Sequence, residues 1–221
     1  MVEKERTQGF DISAFSACVI GCGGLGNNAA THLAGAGIGR LVLCDYDTVE
    51  RSNLNRQFMY TGADIGKSKA VLLKDRLSAY APDSVIEAVG KKIISPDDLS
   101  FALGCDIMLA CLDNTETRGV LDKFCTGAGI PLINGGITGF YGTCYFYVPG
   151  KTPSLEQAGL LAPPKEKPKS VSSTAGIIGA LMAEIAGRYF LNDSPPAGRL
   201  LVYDGCSLSG LTLKGGFYDE T

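Results

Sequence analysis

The chain has 221 residues, 45% of them apolar, with 20 basic residues set against 23 acidic ones. That length and apolar share suit one α/β domain with its own core and exclude a disordered chain. The near-balanced charge leaves no overall basic surplus for wrapping nucleic acid, so no nucleic-acid partner is expected.

In chain order, Met1-Val2-Glu3-Lys4-Glu5-Arg6 is charged and has no apolar stretch of the secretory type. Residues 1–10 read as a lead segment to a single domain over 1–221. Ala17 to Ile20 is a short apolar strand that runs straight into Gly21-Cys-Gly-Gly-Leu-Gly26, and an alanine-rich helix follows to about Ala36. Leu41 to Cys44 is a second strand, ending at Asp45, so strand, glycine turn, helix and strand form one βαβ unit. Ser68 to Tyr80 is expected as a helix, Val85 to Val89 as a strand, and Ser95-Pro96-Asp97-Asp98 as a helix start. Ile107 to Cys111 reads as a buried strand, Thr115 to Ala128 as a helix, and Leu132 to Asn134 as a strand.

Beyond that point the period changes. Ile137 to Val148 alternates glycines with aromatics, as a hairpin does. Residues 149–171 are rich in Pro and Lys and are expected as a long exposed crossing loop. Ser172 or Ser173 then caps a helix through Arg188, and Leu200 to Asp204 and Leu208 to Leu213 close as strands. The fold class implied is a Rossmann-like α/β domain. Its mixed sheet is mostly parallel, with helices on both faces and antiparallel strands at the C-terminal end.

Eight cysteines are present, but no pair has C-x-x-C spacing, and several lie in or beside apolar strand-like runs. No apolar run approaches the ~18 residues of a membrane span. The chain therefore reads as a reduced, cytoplasmic protein with no membrane partner.

Gly21-x-Gly23-x-x-Gly26 sits where a nucleotide-binding fingerprint must, after a strand and opening a helix. Such glycines admit phosphates to the backbone, and the helix N-terminus offers free N–H groups. Asp45, nineteen residues beyond Gly26 at a strand end, is placed for ribose hydroxyls. Two near-matches are rejected. Gly62-Ala-Asp-Ile-Gly66-Lys67-Ser68 is one residue short of a P-loop, and Pro149-Gly150 forbids a helix joining Tyr147 to Lys151.

The stretch after Asp45 separates this chain from a dehydrogenase. Asp47, Glu50, Arg51, Ser52, Asn53, Asn55, Arg56 and Gln57 follow within twelve residues, rich in donors suited to triphosphate oxygens. Lys69 opens the next helix as a compact charge, and Asp113-Asn114 ends the Ile107–Cys111 strand, where a carboxylate can hold magnesium. His32, the single histidine, lies in the helix after the glycine turn and reads as a packed or surface residue.

These motifs, with Gly66-Lys67-Ser68-Lys69-Ala70 and Arg118 after Leu112-Asp113-Asn114, occur in the order found in one family. From about Phe10 to Leu213 the chain resembles the ThiF/MoeB/HesA family, the bacterial relatives of ubiquitin-activating enzymes. The resemblance implies an ATP-dependent adenylyltransferase in which a carboxylate attacks the α-phosphate of MgATP, giving acyl-AMP and pyrophosphate. It implies that Gly21, Gly23, Gly24 and Gly26 line the phosphate turn and that Asp45 holds ribose. It places Asp47, Ser52, Asn53, Asn55, Gln57 and Asn114 around the nucleotide, Arg56 and Lys69 on the phosphates, and Asp113 on magnesium. The implied partner is a ubiquitin-like sulfur carrier with a Gly-Gly tail, as in thiamin, molybdopterin or cysteine pathways, acted on by a homodimer. A lead-segment arginine reaches a partner's ATP site in relatives, and only Arg6 matches it here.

The chain departs from many relatives in lacking C-x-x-C pairs, so zinc is not expected, and in having no cysteine from Gly150 to Val171. The expected reaction stops at the adenylate. Cys144 and Cys206 are the nearest candidates for any sulfur transfer. The other readings are adenylation of a small-molecule or RNA-linked carboxylate, a non-catalytic scaffold relative, and a nicotinamide dehydrogenase.

Overall fold

The structure, a computed structural model, describes residues 10–163 and 170–213. Apolar runs that are buried on both sides become central parallel strands. β1 (Ser16–Ile20), β2 (Arg40–Cys44) and β4 (Ile107–Ala110) are such runs, and β3 (Val85–Val89) and β5 (Leu132–Thr138) flank them. β6 (Tyr141–Tyr147), β7 (Arg199–Tyr203) and β8 (Leu208–Thr212) complete one eight-stranded sheet in the order β3-β2-β1-β4-β5-β6-β7-β8. Strands β3 to β5 pair in parallel, and β5 to β8 pair antiparallel.

Side chains alternate across this sheet and feed two cores. Ala17 and Val19 face α1 (Gly24–Gly35), α2 (Lys69–Tyr80) and α4 (Ser172–Phe190), packing with Leu33, Leu73 and Ile178. Cys18 and Ile20 face α3 (Thr115–Ala128) and the 3-10 turn Pro96–Ala102, packing with Leu99, Leu121 and Phe124. The chain leaves β1 for β2 on one side and reaches β4 on the other. The carboxyl end of β1 is therefore a topological switch point, where open α/β sheets bind ligands.

Four expectations are corrected by the packing. The hairpin begins at Leu132, because Gly135 and Gly136 continue β5 and pair with Cys144 and Thr143. A strand through two glycines holds because Met182 of α4 fills the space beside Gly135. Neither Ser172 nor Ser173 caps α4; Val171 is the cap residue, without a side-chain bond, and the helix runs on to Phe190, which stacks on Phe15 at 4.7 Å. The segment from Ser95 makes a 3-10 turn in place of an α-helix. The crossing loop is not wholly exposed, since Leu155 is fully buried. The buried Asp122 carboxylate of α3 accepts the Leu155 N–H at 2.8 Å and the Glu156 N–H at 3.2 Å, and Tyr145 Oη donates to the Pro153 carbonyl at 2.8 Å. Residues 164–169 of that loop lie outside the described residues. Among the described residues, no helix is long and apolar enough to cross a membrane.

Two carboxylates tie turns into this frame and set its acid stability. Asp64 accepts from Arg76, from the Thr61 N–H at 2.7 Å and from the Thr61 hydroxyl at 2.8 Å. Asp98 pairs with Lys91 at 2.9 Å and accepts the Ile94 and Ser95 N–H groups. The Arg76 guanidinium and Thr61 hold Asp64 well below the usual carboxylate range, and Lys91 with the two N–H groups does the same for Asp98. A carboxylate depressed from an unfolded value of about 3.9 contributes stability that is full above that pH. The contribution is lost as pH falls through it toward the folded value. Melting temperature should therefore drop steeply below about pH 4, with a shallower drop in Asp64→Asn. Parallel acid curves for the two proteins would contradict this.

Candidate active site

The glycine turn is shaped by close approach. Gly21 has φ of 93°, donates its N–H to the Cys44 carbonyl at 2.7 Å, and has no room for a Cβ against the Cys111 carbonyl. A Cβ on Gly26 would overlap the Gly21 carbonyl oxygen. The chain can thus turn from β1 into α1 within a few residues. Gly23 is the N-cap of α1, with no side-chain cap bond and no acidic residue in the first turn. The leading N–H groups and the positive end of the helix dipole are therefore open to an anion at the switch point.

Asp45, at the end of β2, is 9% exposed. Its Oδ2 accepts the Cys22 N–H at 2.7 Å and its Oδ1 accepts the Asp47 N–H at 2.8 Å. Burial raises its pKa, and these two bonds pull against the rise. Lys69, on the first turn of α2, is 6% exposed, and its Nζ lies 3.2 Å from Asp47 Oδ2. Tyr60 Oη sits 3.0 Å from the Cys22 carbonyl and 3.1 Å from the Lys69 carbonyl, bracing the glycine turn against α2.

The polar stretch folds as a 3-10 turn over Arg51–Asn53. Asn53 is turned inward, its Oδ1 accepting the Glu50 N–H at 3.1 Å, while Ser52 Oγ donates to Glu50 Oε2 at 3.1 Å. Arg56 Nη1 donates to the Ser52 carbonyl and to Asn55 Oδ1, and the Arg56 stem passes 3.4 Å from where a Cβ of Gly24 would stand. Gln57 is buried, with Nε2 beside Gly23 and Oε1 without a protein partner. Arg56 and Gln57 thus border the glycine turn, whereas Asn53 spends its side chain on the loop.

Past β4, the exposed Asp113 carboxylate stands at the same edge. Asn114 caps α3, its Oδ1 accepting the Thr117 N–H at 2.8 Å. Asp47 first, then burial, Asp45 and Asp113 raise the phenol of Tyr46, whose ring is exposed. Lys92 Nζ lies 5.4 Å from the centre of that ring. Among the described residues, no group of three or more His, Cys, Asp and Glu could hold a metal. A single carboxylate beside a phosphate site still matches the usual magnesium habit of one or two carboxylates plus phosphate oxygens.

Residues outside the expected site complete it. Arg118 of α3, partly buried and lowered in pKa by that burial, donates through Nη2 to the Leu112 carbonyl and to the Gly135 carbonyl at 2.8 Å, fixing the Asp113 loop to β5. Asn27, a polar residue in an alanine-rich helix and so visible in the sequence, accepts the Met59 N–H at 3.2 Å. Tyr46 carried no such signal. His32 is exposed. Arg6 lies outside the described residues.

Seven of the eight cysteines are buried, and Cys206, in the β7–β8 turn, is exposed. Burial pushes Cys44 and Cys111 up to about 12 and raises Cys22 and Cys144 as well. Cys105 is lowered by the Cys18 thiol and Arg40 but is itself buried. A native alkylation time course should therefore modify about one thiol rapidly, since the thiolate is the reactive form. Cys206→Ser should remove that fast phase, and fast labelling of Cys144 would contradict the burial.

A Rossmann-like sheet with an uncapped glycine turn, a buried acid, a buried lysine and an arginine at its switch point defines a class: α/β domains equipped to hold phosphates. The chain belongs to the ThiF family, whose model matches residues 5–215. It is 35% identical over 198 residues to the sulfur carrier protein ThiS adenylyltransferase of Escherichia coli K12, covering 86% of this chain and 77% of that protein. It is likewise 35% identical over 199 residues to the adenylyltransferase and sulfurtransferase MOCS3 of Drosophila yakuba, covering 87% of this chain and 44% of that one. Among solved structures, E. coli MccB with ATP superposes with a TM-score of 0.83 at 25% identity, over 91% of this chain and 64% of that chain. The chain thus spans less than two thirds of MOCS3 and of MccB.

Proposed function

We propose that the chain is an ATP-dependent adenylyltransferase. It activates the C-terminal glycine carboxylate of a ubiquitin-like sulfur carrier as acyl-AMP and releases pyrophosphate. The observation that carries this reading is the Arg56 stem beside Gly24 at the uncapped N-terminus of α1, with Lys69 joined to the same glycine turn through Asp47 and Asp45 and Asp113 following the neighbouring strand β4. The family and its adenylyltransferase relatives support it.

In this reading the carrier's carboxylate oxygen attacks the α-phosphorus of ATP, and the bond from that phosphorus to the bridging oxygen of the β-phosphate breaks. The electron pair leaves with pyrophosphate. Such a transfer depends on positioning and on neutralised charge, and it needs no nucleophilic side chain. Arg56 and Lys69 meet the phosphates, and the turn from Gly21 to Gly26 admits them to backbone N–H groups. Asp45 accepts from ribose hydroxyls with its remaining lone pairs. Asp47, Ser52, Asn53, Asn55, Gln57 and Asn114 shape the walls. Asp113 holds magnesium, which when bound neutralises phosphate charge.

The chain works as a homodimer in the cytoplasm, and the reaction ends at the adenylate. In support, the eight thiols are all free, and the only exposed one, Cys206, lies in the β7–β8 turn. Intact-mass analysis of a Gly-Gly-ended carrier incubated with the chain, MgATP and pyrophosphatase tests the reading. An adenylyl adduct on the carrier is expected. An unmodified carrier beside an adenylated small acid would overturn the choice of acceptor.

A further inference from the structure

Lys69 is an ammonium group sunk almost out of solvent, with its side chain 8% exposed. A charge so placed needs a fixed partner, because an unpaired buried ion is costly. That partner is Asp47 Oδ2 at 3.2 Å. The Asp47 side chain is itself 48% exposed, so the pair stands at the mouth of the site rather than in the core.

The backbone binds the same two residues a second time. The Lys69 N–H donates to the Asp47 carbonyl at 3.1 Å, Val49 N–H to Lys67 carbonyl at 2.9 Å, and Gly66 N–H to Val49 carbonyl at 2.8 Å. The start of α2 is thereby pinned to the acid loop. The chain of bonds continues from the Asp47 N–H to Asp45 Oδ1, and from the Cys22 N–H in the glycine turn to Asp45 Oδ2. Glycine turn, acid loop and lysine are one hydrogen-bonded unit. An ammonium has three donors, and Asp47 engages one of them, leaving the others for phosphate oxygens.

We infer that Asp47 is a positioning residue: its carboxylate sets Lys69 Nζ for the phosphates of ATP and does not itself contact the nucleotide. The inference rests on the adenylyltransferase reading above and assigns Asp47 a role through Lys69.

Calorimetric titration with MgATP of the wild type, Asp47→Ala, Asp47→Asn, Lys69→Ala and the Asp47→Ala/Lys69→Ala double variant tests it. Asp47→Ala should weaken binding about tenfold, as for one lost charge-assisted hydrogen bond. Asp47→Asn, which keeps an oxygen acceptor, should recover most of that. The double variant should bind no more weakly than Lys69→Ala, since coupled residues are non-additive. Additive losses, or an Asp47→Ala variant that binds like the wild type, would overturn the inference alone. A wild type that does not bind MgATP would overturn the adenylyltransferase reading and this inference with it. If Asp47→Ala does not fold, Asp47→Ser, too short to reach Lys69 Nζ, takes its place: a tenfold loss at a wild-type melting temperature that disappears in the Lys69→Ala background would sustain the coupling, and additivity there would end it.

Discussion

Gly26→Ala is expected to lose MgATP binding and to destabilise the fold by about 3 kcal/mol, the upper end of ordinary overpacking costs. A Cβ at position 26 would overlap the Gly21 carbonyl oxygen and stand 3.2 Å from a methyl of Val19 in the central strand. Neither neighbour can retreat. Gly21 is held by its bond to the Cys44 carbonyl, and Val19 is fully buried. The chain must therefore shift α1 away from β1, which opens the phosphate turn and both flanking contacts of the core. Gly23→Ala is the control, because a Cβ there meets only Gln57 Nε2 at 3.6 Å. Urea unfolding of both variants checks this. Equal midpoints for Gly26→Ala and the wild type would refute the close approach as the reason for the glycine.

Asp113→Ala is expected to behave in the opposite manner, folding normally but lowering adenylate formation by about 10²- to 10³-fold, the usual effect of removing one preorganised charge-stabilising group. The carboxylate is exposed and the core beneath it is untouched. Loss of activity without loss of melting temperature is therefore the diagnostic outcome. The change should be tested at saturating ATP and across magnesium concentrations. An unaltered rate at all of them would remove Asp113 from the metal role.

Much of the parallel half could be read from local pattern. The runs 17–20, 41–44 and 107–111 are buried because continuous apolar stretches of that length leave no polar face, and the glycine turn lies where the first of them ends. Asp45 and Lys69 were legible because a charge at a strand end or helix start is conspicuous. What escaped depended on distant partners. The strand through Gly135 and Gly136 needs Met182 of α4 to fill it. Leu155 is buried because Asp122, 33 positions earlier in the chain, receives its N–H. That Asn53 Oδ1 accepts the Glu50 N–H of its own loop depends on how the 3-10 turn closes, which the run of polar residues does not reveal. Arg118 stood within a recognised motif, but its task of tying the Asp113 loop to β5 appears only when Leu112 and Gly135 are brought together.

In the proposed function, this edge of the sheet activates a carrier's carboxylate with ATP. ATP–pyrophosphate exchange measured with a panel of Gly-Gly-ended carriers and free small carboxylates, with Asp113→Ala alongside, tests it most directly. Exchange that depends on one carrier and collapses in the variant is the predicted result. MgATP binding without exchange for any carboxylate would contradict the claim and leave the chain a nucleotide-binding scaffold.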